Sequence, residues 1–413
     1  MPPGIPRILA ALLLASLAAA GDFSLEDAVA LALANNPRVS IESLNAAAAD
    51  EAVTAARSAF FPNFTIAASA AGANGSTRDP RLAAGGLNNP VILNRIAVGG
   101  IVNQLVTDLG RTSNLVDGAR LRARSALESG RASRGQIVLA VHRAYFAALR
   151  AGELYLAAER AVDERLRALD RLPAGSLESR FAAMAATEAR LALVSAGTDR
   201  QASRADLALV LGLREPGDWT LADPPGATEA PPGSATAIAD ALRSRPETAA
   251  LRLERDAAAR LAAADRKLSL PTVNALVNSG VAPIHDDRMA QTYSAAGLVV
   301  TIPIFNGRAF DSRRRDSELR VRMADQQLRE LENAIAREVS VSNDALTAAW
   351  ERLRLAARMH AEAAETVRMA KGNPGALATA RANELRAETI AISARYDYLL
   401  QKSNAAFQAG RLK

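Results

Sequence analysis

Along this chain the spacing of apolar residues switches between a helical period and a strand period, and does so in the same order twice. The cleanest strand pattern puts Ala296, Leu298, Val300, Ile302 and Ile304 on one face. Its counterpart at 97–109 is interrupted by Asn103 and Gln104. Two shorter alternations precede them. Phe64, Ile66 and Ala68 alternate with Thr65, Ala67 and Ser69, while Val273, Ala275 and Val277 alternate with Thr272, Asn274 and Asn278. Each pair of strands predicts a hairpin. A helix starting near Ser24 or Thr236 leads in and is expected to run about 25–35 residues, stopping before Pro62 or Pro271 because proline disfavours helix in the residue before it. Ser24 with Asp27 three residues on reads as a near capping box.

Behind each hairpin a long helix is predicted, from Arg111 to about Leu172 and from Arg308 to about Lys371. Val138, Val141, Tyr145, Ala148, Gly152 and Tyr155 recur at alternating three- and four-residue steps. Ile335, Val339, Ser342, Leu346, Ala349, Leu353 and Ala356 do the same. These are coiled-coil seams, with small residues that let neighbouring helices approach closely. About sixty helical residues span roughly 90 Å. The chain then breaks at Gly175, or at Gly372-Asn373-Pro374-Gly375, and returns as a helix of about 35 residues.

The duplication is legible residue by residue. Ala28, Leu33, Pro37, Ala48, Arg57 and Pro62 meet Ala237, Leu242, Pro246, Ala257, Arg266 and Pro271 at a constant shift (237 − 28 = 209). Farther on, Gly100, Gly110, Arg111 and Gly175 meet Gly297, Gly307, Arg308 and Gly372 (297 − 100 = 197), the first copy having the longer loop between strands. The expected organisation is a signal peptide at 1–20, a first repeat at 21–213, a Pro/Gly-rich linker at 214–235 and a second repeat at 236–413. The signal peptide is expected from Arg7, the apolar run Ile8–Ala20 and the small-residue pattern that sets cleavage between Ala20 and Gly21.

Composition narrows the chemistry. Aromatics are only 4% against 49% apolar residues, alanine filling the difference, which suits closely packed helices. There is no cysteine, so disulfides, thiolate metal sites and a lipidated N-terminal Cys are excluded. His142, His285 and His360 have no companions at ligand spacing, and no nucleophile–base constellation is visible; no catalytic, cofactor or metal site is expected. The net charge of +6 permits an acidic partner, but a signal peptide and scarce aromatics argue against nucleic acid. No apolar run is long enough for a transmembrane helix, so any membrane span must be β. Four strands cannot close a barrel, whereas three copies would supply twelve, with an apolar outer face and a lumen lined by Thr, Ser and Asn.

The chain resembles the TolC-like outer-membrane efflux proteins. The resemblance is carried by "SLEDAVALALANNPRV" (24–39), "AARSAFFPNF" (55–64) and the doubled plan. It is carried also by "PIFNGR" (303–308), similar to the family's strand-ending Pro-Leu-Phe-Asp/Asn-Gly-Gly; Gln104, Asp108 and Gly110 echo it. It implies a mainly α fold with a transmembrane β part: long helical hairpins forming a coiled-coil α-barrel, plus four strands per chain completing a 12-stranded β-barrel as a homotrimer. It also implies an outer-membrane channel-tunnel of a Gram-negative bacterium, serving tripartite efflux or type I secretion with a periplasmic adaptor (membrane fusion) protein and an inner-membrane transporter. The implied adaptor-docking tips are Gly175, Ser176, Leu177, Glu178 and Ser179, with Gly372, Asn373, Pro374 and Gly375. Asp108, Gly110, Pro303, Phe305, Asn306 and Gly307 fall at the strand-to-helix junctions. Where family members commonly carry an acid six residues after the tip glycine, this chain has Phe181 and Ala378.

The densest charge run, 308–322, makes Arg313, Arg314 and Arg315 a candidate basic collar for outer-membrane lipid headgroups or anionic solutes; a solvated helix face is the alternative. Two other functions stay open: a soluble periplasmic coiled-coil adaptor, and a structural envelope protein.

Overall fold

The computed structural model describes residues 23–71, 95–217, 219–224, 236–285 and 290–412. The expected signal peptide and its Ala20–Gly21 cleavage point lie outside them, as does most of the 214–235 linker. In chain order the elements are α1 (Leu25–Asn35), α2 (Pro37–Ser58), β1 (Asn63–Ala71), β2 (Arg95–Thr107), α3 (Arg111–Leu169) and α4 (Leu177–Val210). There follow α5 (Ala237–Ser244), α6 (Pro246–Asp265), β3 (Thr272–His285), β4 (Thr292–Thr301), α7 (Ala309–Met369) and α8 (Pro374–Gln408), with a 3-10 turn at Ala370–Gly372 between the last two.

The helix before each hairpin is broken, where one continuous helix was expected. Asn36 and Arg245 stand at ψ 123° and 127°, so α1 stops before Pro37 and α5 before Pro246. The cause is the same clash with the proline ring that ends the helical run before Pro62 and Pro271. Ser24 caps α1 in a full capping box with Asp27, whereas Thr236 makes no side-chain cap bond.

These breaks receive the far ends of the return helices. Asn36 Nδ2 donates to the Val210 carbonyl at 3.0 Å. At the equivalent position the buried Arg245 reaches Glu338 at 3.0 Å and Gln408 at 2.7 Å. Both return helices close in a Schellman turn, Leu213 N–H to Ala208 and Arg411 N–H to Ala406. Gly212 (φ +74°) and Gly410 (φ +68°) are left-handed there, and a Cβ would press on Asn35 and Ser244 respectively.

Two compact units result, each assembled from both repeats. One holds Leu127–Ala250, Leu328–Lys413 and the described residues up to Asn45. Its core joins Phe23, Leu31, Val141, Tyr145, Leu207, Leu211, Tyr396 and Leu399. The Tyr145 hydroxyl lies 2.6 Å from the Phe23 carbonyl oxygen and 2.7 Å from that of Ala222, donating between them. It thereby pins the parallel bridge between Phe23 and Leu221. The predicted seams are buried: Val138, Val141, Tyr145 and Ala148 on α3, Ile335, Val339, Leu346 and Ala349 on α7.

The other unit, Ala46–Ala126 with Leu251–Gln327, carries the sheet. All four strands pair antiparallel in the order β1-β2-β3-β4. The two central strands come from different repeats, and β1 and β4 are its edges. The register between β2 and β3 slips twice: β3 carries the extra residue opposite Ile96–Val98, and β2 carries it between Leu105 and Thr107. The last strand stops at Thr301 rather than Ile304, since Pro303 has no N–H to donate.

Candidate functional site

Register fixes which side chains share a face of the sheet. Phe64 stands opposite Val102, Val102 opposite Val277 and Val277 opposite Ala296; on the same face lie Ile66, Val98, Val281, Leu298 and Val300. This face is apolar and open: Phe64 is 65% exposed, Ile66 74% and Leu298 69%. A contiguous surface of this kind in water would be an aggregation liability, so its natural surrounding is apolar.

The opposite face carries Asn63, Thr65, Ser69, Asn103, Asn274, Asn278 and Thr301, as the alternation predicts. It also carries Ile101, Leu276 and Val299, while Ser279 and Ser294 fall on the apolar face, so the two faces are less pure than expected. Tyr293 lies over Gly280 and Gly99 on the polar side; a Cβ at either glycine would collide with its hydroxyl and with the neighbouring strand. A large ring thus covers the hole two glycines leave in adjacent strands.

At the first strand-to-helix junction, the buried Asp108 caps α3. Its carboxylate accepts from Thr112 N–H at 2.7 Å, from the Thr112 hydroxyl at 2.6 Å and from Gly110 N–H at 3.1 Å. Burial alone would raise its pKa, but the Thr112 hydroxyl and the backbone donors outweigh it and hold it below the ordinary value. Pro303, Phe305, Asn306 and Gly307 span the second junction between β4 and α7. The left-handed pair is Leu109-Gly110 in the first repeat and Gly307-Arg308 in the second. The structural equivalence is therefore displaced by one residue from the one the glycines give in sequence.

The two helical turns differ. Gly175 takes φ +82°, and the Ser176 hydroxyl caps α4 by accepting from Ser179 N–H at 3.1 Å. Leu177 and Glu178 open that helix. In the second turn Gly372 keeps an ordinary backbone, and Asn373 Oδ1 accepts from Gly375 N–H at 3.1 Å and Ala376 N–H at 3.2 Å. Pro374 begins α8. Sequence reading missed a feature of α4: Leu177, Phe181, Met184, Leu191 and Val194 are all exposed, at near-heptad steps. The spacing was legible, but which seams find a partner within the chain was not.

The collar residues part company. Arg313 pairs with the buried Asp265 at 3.1 Å and Arg314 with Asp311 at 3.6 Å. Arg315 has no carboxylate partner among the described residues; its Nε reaches only the Asp311 carbonyl, at 3.3 Å. Elsewhere, His142 Nδ1 lies 2.8 Å from Ser403 Oγ, and burial lowers its pKa. No cluster among the described residues could hold a metal ion, and no described helix is long and apolar enough to cross a membrane.

Residues 237–408 match the family model of outer membrane efflux proteins. No curated protein sequence matches the chain. Among solved structures, the Campylobacter jejuni CmeC outer membrane channel superposes with a TM-score of 0.79 at 16% identity, over 94% of this chain and 85% of that one. The Vibrio cholerae outer membrane protein VceC gives 0.77 at 16%, covering 94% and 96%. The open-state MtrE outer membrane channel of Neisseria gonorrhoeae gives 0.77 at 18%, covering 94% and 89%. The fold is that of these channels, helical with a four-stranded antiparallel part.

Proposed function

We infer that this chain, whose second half carries the outer membrane efflux protein signature, is an outer-membrane channel-tunnel that conducts solutes passively from the periplasm to the exterior. One observation carries the reading: a four-stranded sheet with an exposed apolar face, an opposite face that holds its asparagines and most of its threonines, and two edge strands without a partner among the described residues. In hydrocarbon, an open edge leaves backbone groups unsatisfied, so β1 and β4 must pair with other copies. Three copies would make twelve strands, within the range of bacterial barrels.

The homotrimer is also favoured by the exposed heptad face of α4, which a neighbouring copy's helix would cover. The turns at Gly175–Ser179 and Gly372–Gly375 are where a periplasmic adaptor would dock, linking the tunnel to an inner-membrane transporter. Gly175, Leu177, Glu178, Gly372, Asn373 and Gly375 are exposed, and each turn ends in a side-chain cap, which presents a fixed shape to a partner.

Native mass spectrometry of detergent-extracted protein from the outer-membrane fraction tests the assembly. A trimer of chains beginning at Gly21 is expected, with conductance in planar bilayers. A soluble monomer or dimer would make the chain a periplasmic adaptor; a membrane trimer without conductance or export would make it a structural envelope protein.

A further inference from the structure

The start of α7 presents Arg315 and Arg322 seven residues apart, within about 20° of each other around the helix, and Arg308 stands immediately before its first residue. All three are exposed. Their basic neighbours are neutralised: Arg313 by Asp265, Arg314 by Asp311, Arg320 by Asp316 at 2.8 Å and Arg266 by Glu318 at 3.1 Å. The stripe itself has no carboxylate partner among the described residues. Local acids are thus consumed on the flanks of the helix, leaving one face uncompensated.

Two further observations suggest what this face meets. Immediately before it stand Ile302, Ile304 and Phe305, the last two 95% and 88% exposed, continuing from the apolar sheet face. Phe60 and Phe61 are likewise exposed at the junction between α2 and β1. Apolar and aromatic residues followed by arginine is the order in which side chains cross from acyl chains to headgroups. In addition, Arg308 sits at φ +67°, a conformation that favours glycine. A long cationic side chain kept at a strained position points to a use for that side chain.

We propose that Arg308 and Arg315 bind the phosphate groups of anionic phospholipids in the periplasmic leaflet of the outer membrane. This rests on the outer-membrane reading above. Distance along the helix grades the contribution. Counted from the first residue of α7, Arg315 lies about 9 Å along the helix, within side-chain reach of the headgroups, and Arg322 about 20 Å along it. A charge that far out is screened at physiological salt, where the Debye length is about 8 Å. Arg322 therefore serves as an internal control on the same face.

The test is native mass spectrometry of the full-length protein in nonionic detergent with equimolar phosphatidylglycerol and phosphatidylcholine, counting retained lipids. Wild type is expected to retain phosphatidylglycerol in preference. Arg315→Gln should lower that retention roughly fivefold at about 0.15 M ionic strength, the effect of one surface cation within a Debye length of the headgroups. Arg308→Gly should do likewise, in a backbone glycine suits better, so misfolding would not explain the loss. Arg322→Gln should match wild type.

Equal loss in Arg322→Gln, or no lipid preference in wild type, overturns the proposal. So does an Arg315→Gln variant with unchanged lipid retention but an altered anion/cation reversal potential in planar bilayers, which would place the stripe in the lumen. The last three outcomes leave the channel reading intact. A wild-type protein that needs no detergent and forms no conducting pore defeats both.

Discussion

Adjacent residues of β1, Thr65 and Ile66, face opposite sides of the sheet at almost the same depth, so arginine at each is a sharp test of which side meets lipid. The strand has nine residues. At ~3.4 Å per residue and a tilt near 40° it rises about 23 Å, close to the ~25 Å apolar band of outer-membrane barrels. Ile66, the fourth of the nine, lies near the midplane. Arginine on the lipid face at that depth costs about 2–4 kcal/mol per chain. In a trimer the three copies add to roughly 6–12 kcal/mol, comparable to the whole stability of an ordinary domain. Thr65→Arg instead puts its charge on the face with Asn63, Ser69 and Asn103, where water can solvate it. Trimer yield in purified outer membranes, and urea midpoints of protein refolded into vesicles, should fall steeply for Ile66→Arg and little for Thr65→Arg. Equal damage from both, or none from either, would refute the assignment of the faces.

Three further outcomes are expected. Tyr145→Phe removes the donor to Ala222 and should cost about 1–3 kcal/mol, read as a lower Tm of the extracted protein; an unchanged Tm would mean the hydroxyl does not hold the Phe23–Leu221 bridge. Gly175→Ala should cost about 1 kcal/mol because of its left-handed backbone, and Gly372→Ala almost nothing, its φ being ordinary and its surroundings open; denaturant midpoints compare the two. Asp108 has a depressed folded pKa, so its contribution is present above the ordinary carboxylate value of 3.8 and disappears as pH falls through the lower, folded value. The stability difference between wild type and Asp108→Asn should accordingly be constant from pH 7 to 5 and shrink in stronger acid; a difference that instead grows on acidification would contradict the capping geometry.

What the sequence made legible was whatever depends on period and on backbone-constraining residues. The strands, the long helices and their turns follow from apolar spacing and from Pro62, Pro271 and Gly175. The breaks at Asn36 and Arg245 follow from the same proline rule, but the helical patterning on either side of Pro37 and Pro246 hides them. Long-range charge pairing was not legible. Nothing local predicts that Arg313 meets Asp265, 48 positions away (313 − 265 = 48), and it was this pair that moved the free charge from the middle of the arginine run to Arg308 and Arg315. Nor could spacing tell the buried seam of α3 from the exposed one of α4, since both have heptad steps and differ only in whether the chain itself supplies a neighbour.

That difference has a counterpart in the two helices that enter the hairpins. By the repeat, α2 and α6 are equivalents, and both are rich in alanine. Yet α2 has no buried residue, whereas α6 buries Thr248, Ala250, Ala257, Ala262, Ala264 and Asp265. The sequences cannot account for this, because small residues at helical spacing suit close packing in both. Position in the chain can. α6 leads into β3, a central strand, and ion pairs tie it to both long helices: Arg122 to Glu254 at 4.0 Å, Arg255 to Asp325 at 3.7 Å. α2 leads into β1, an edge strand. Among the described residues no strand continues the sheet beside β1, and α2 buries none of its side chains. A copy whose β4 paired with this β1 would bring the start of its own α7 beside the end of α2 that leads into β1. One neighbour would then satisfy the open strand edge and the bare helix together, which is what closed rotational assembly requires of an interface between unlike edges of the same chain.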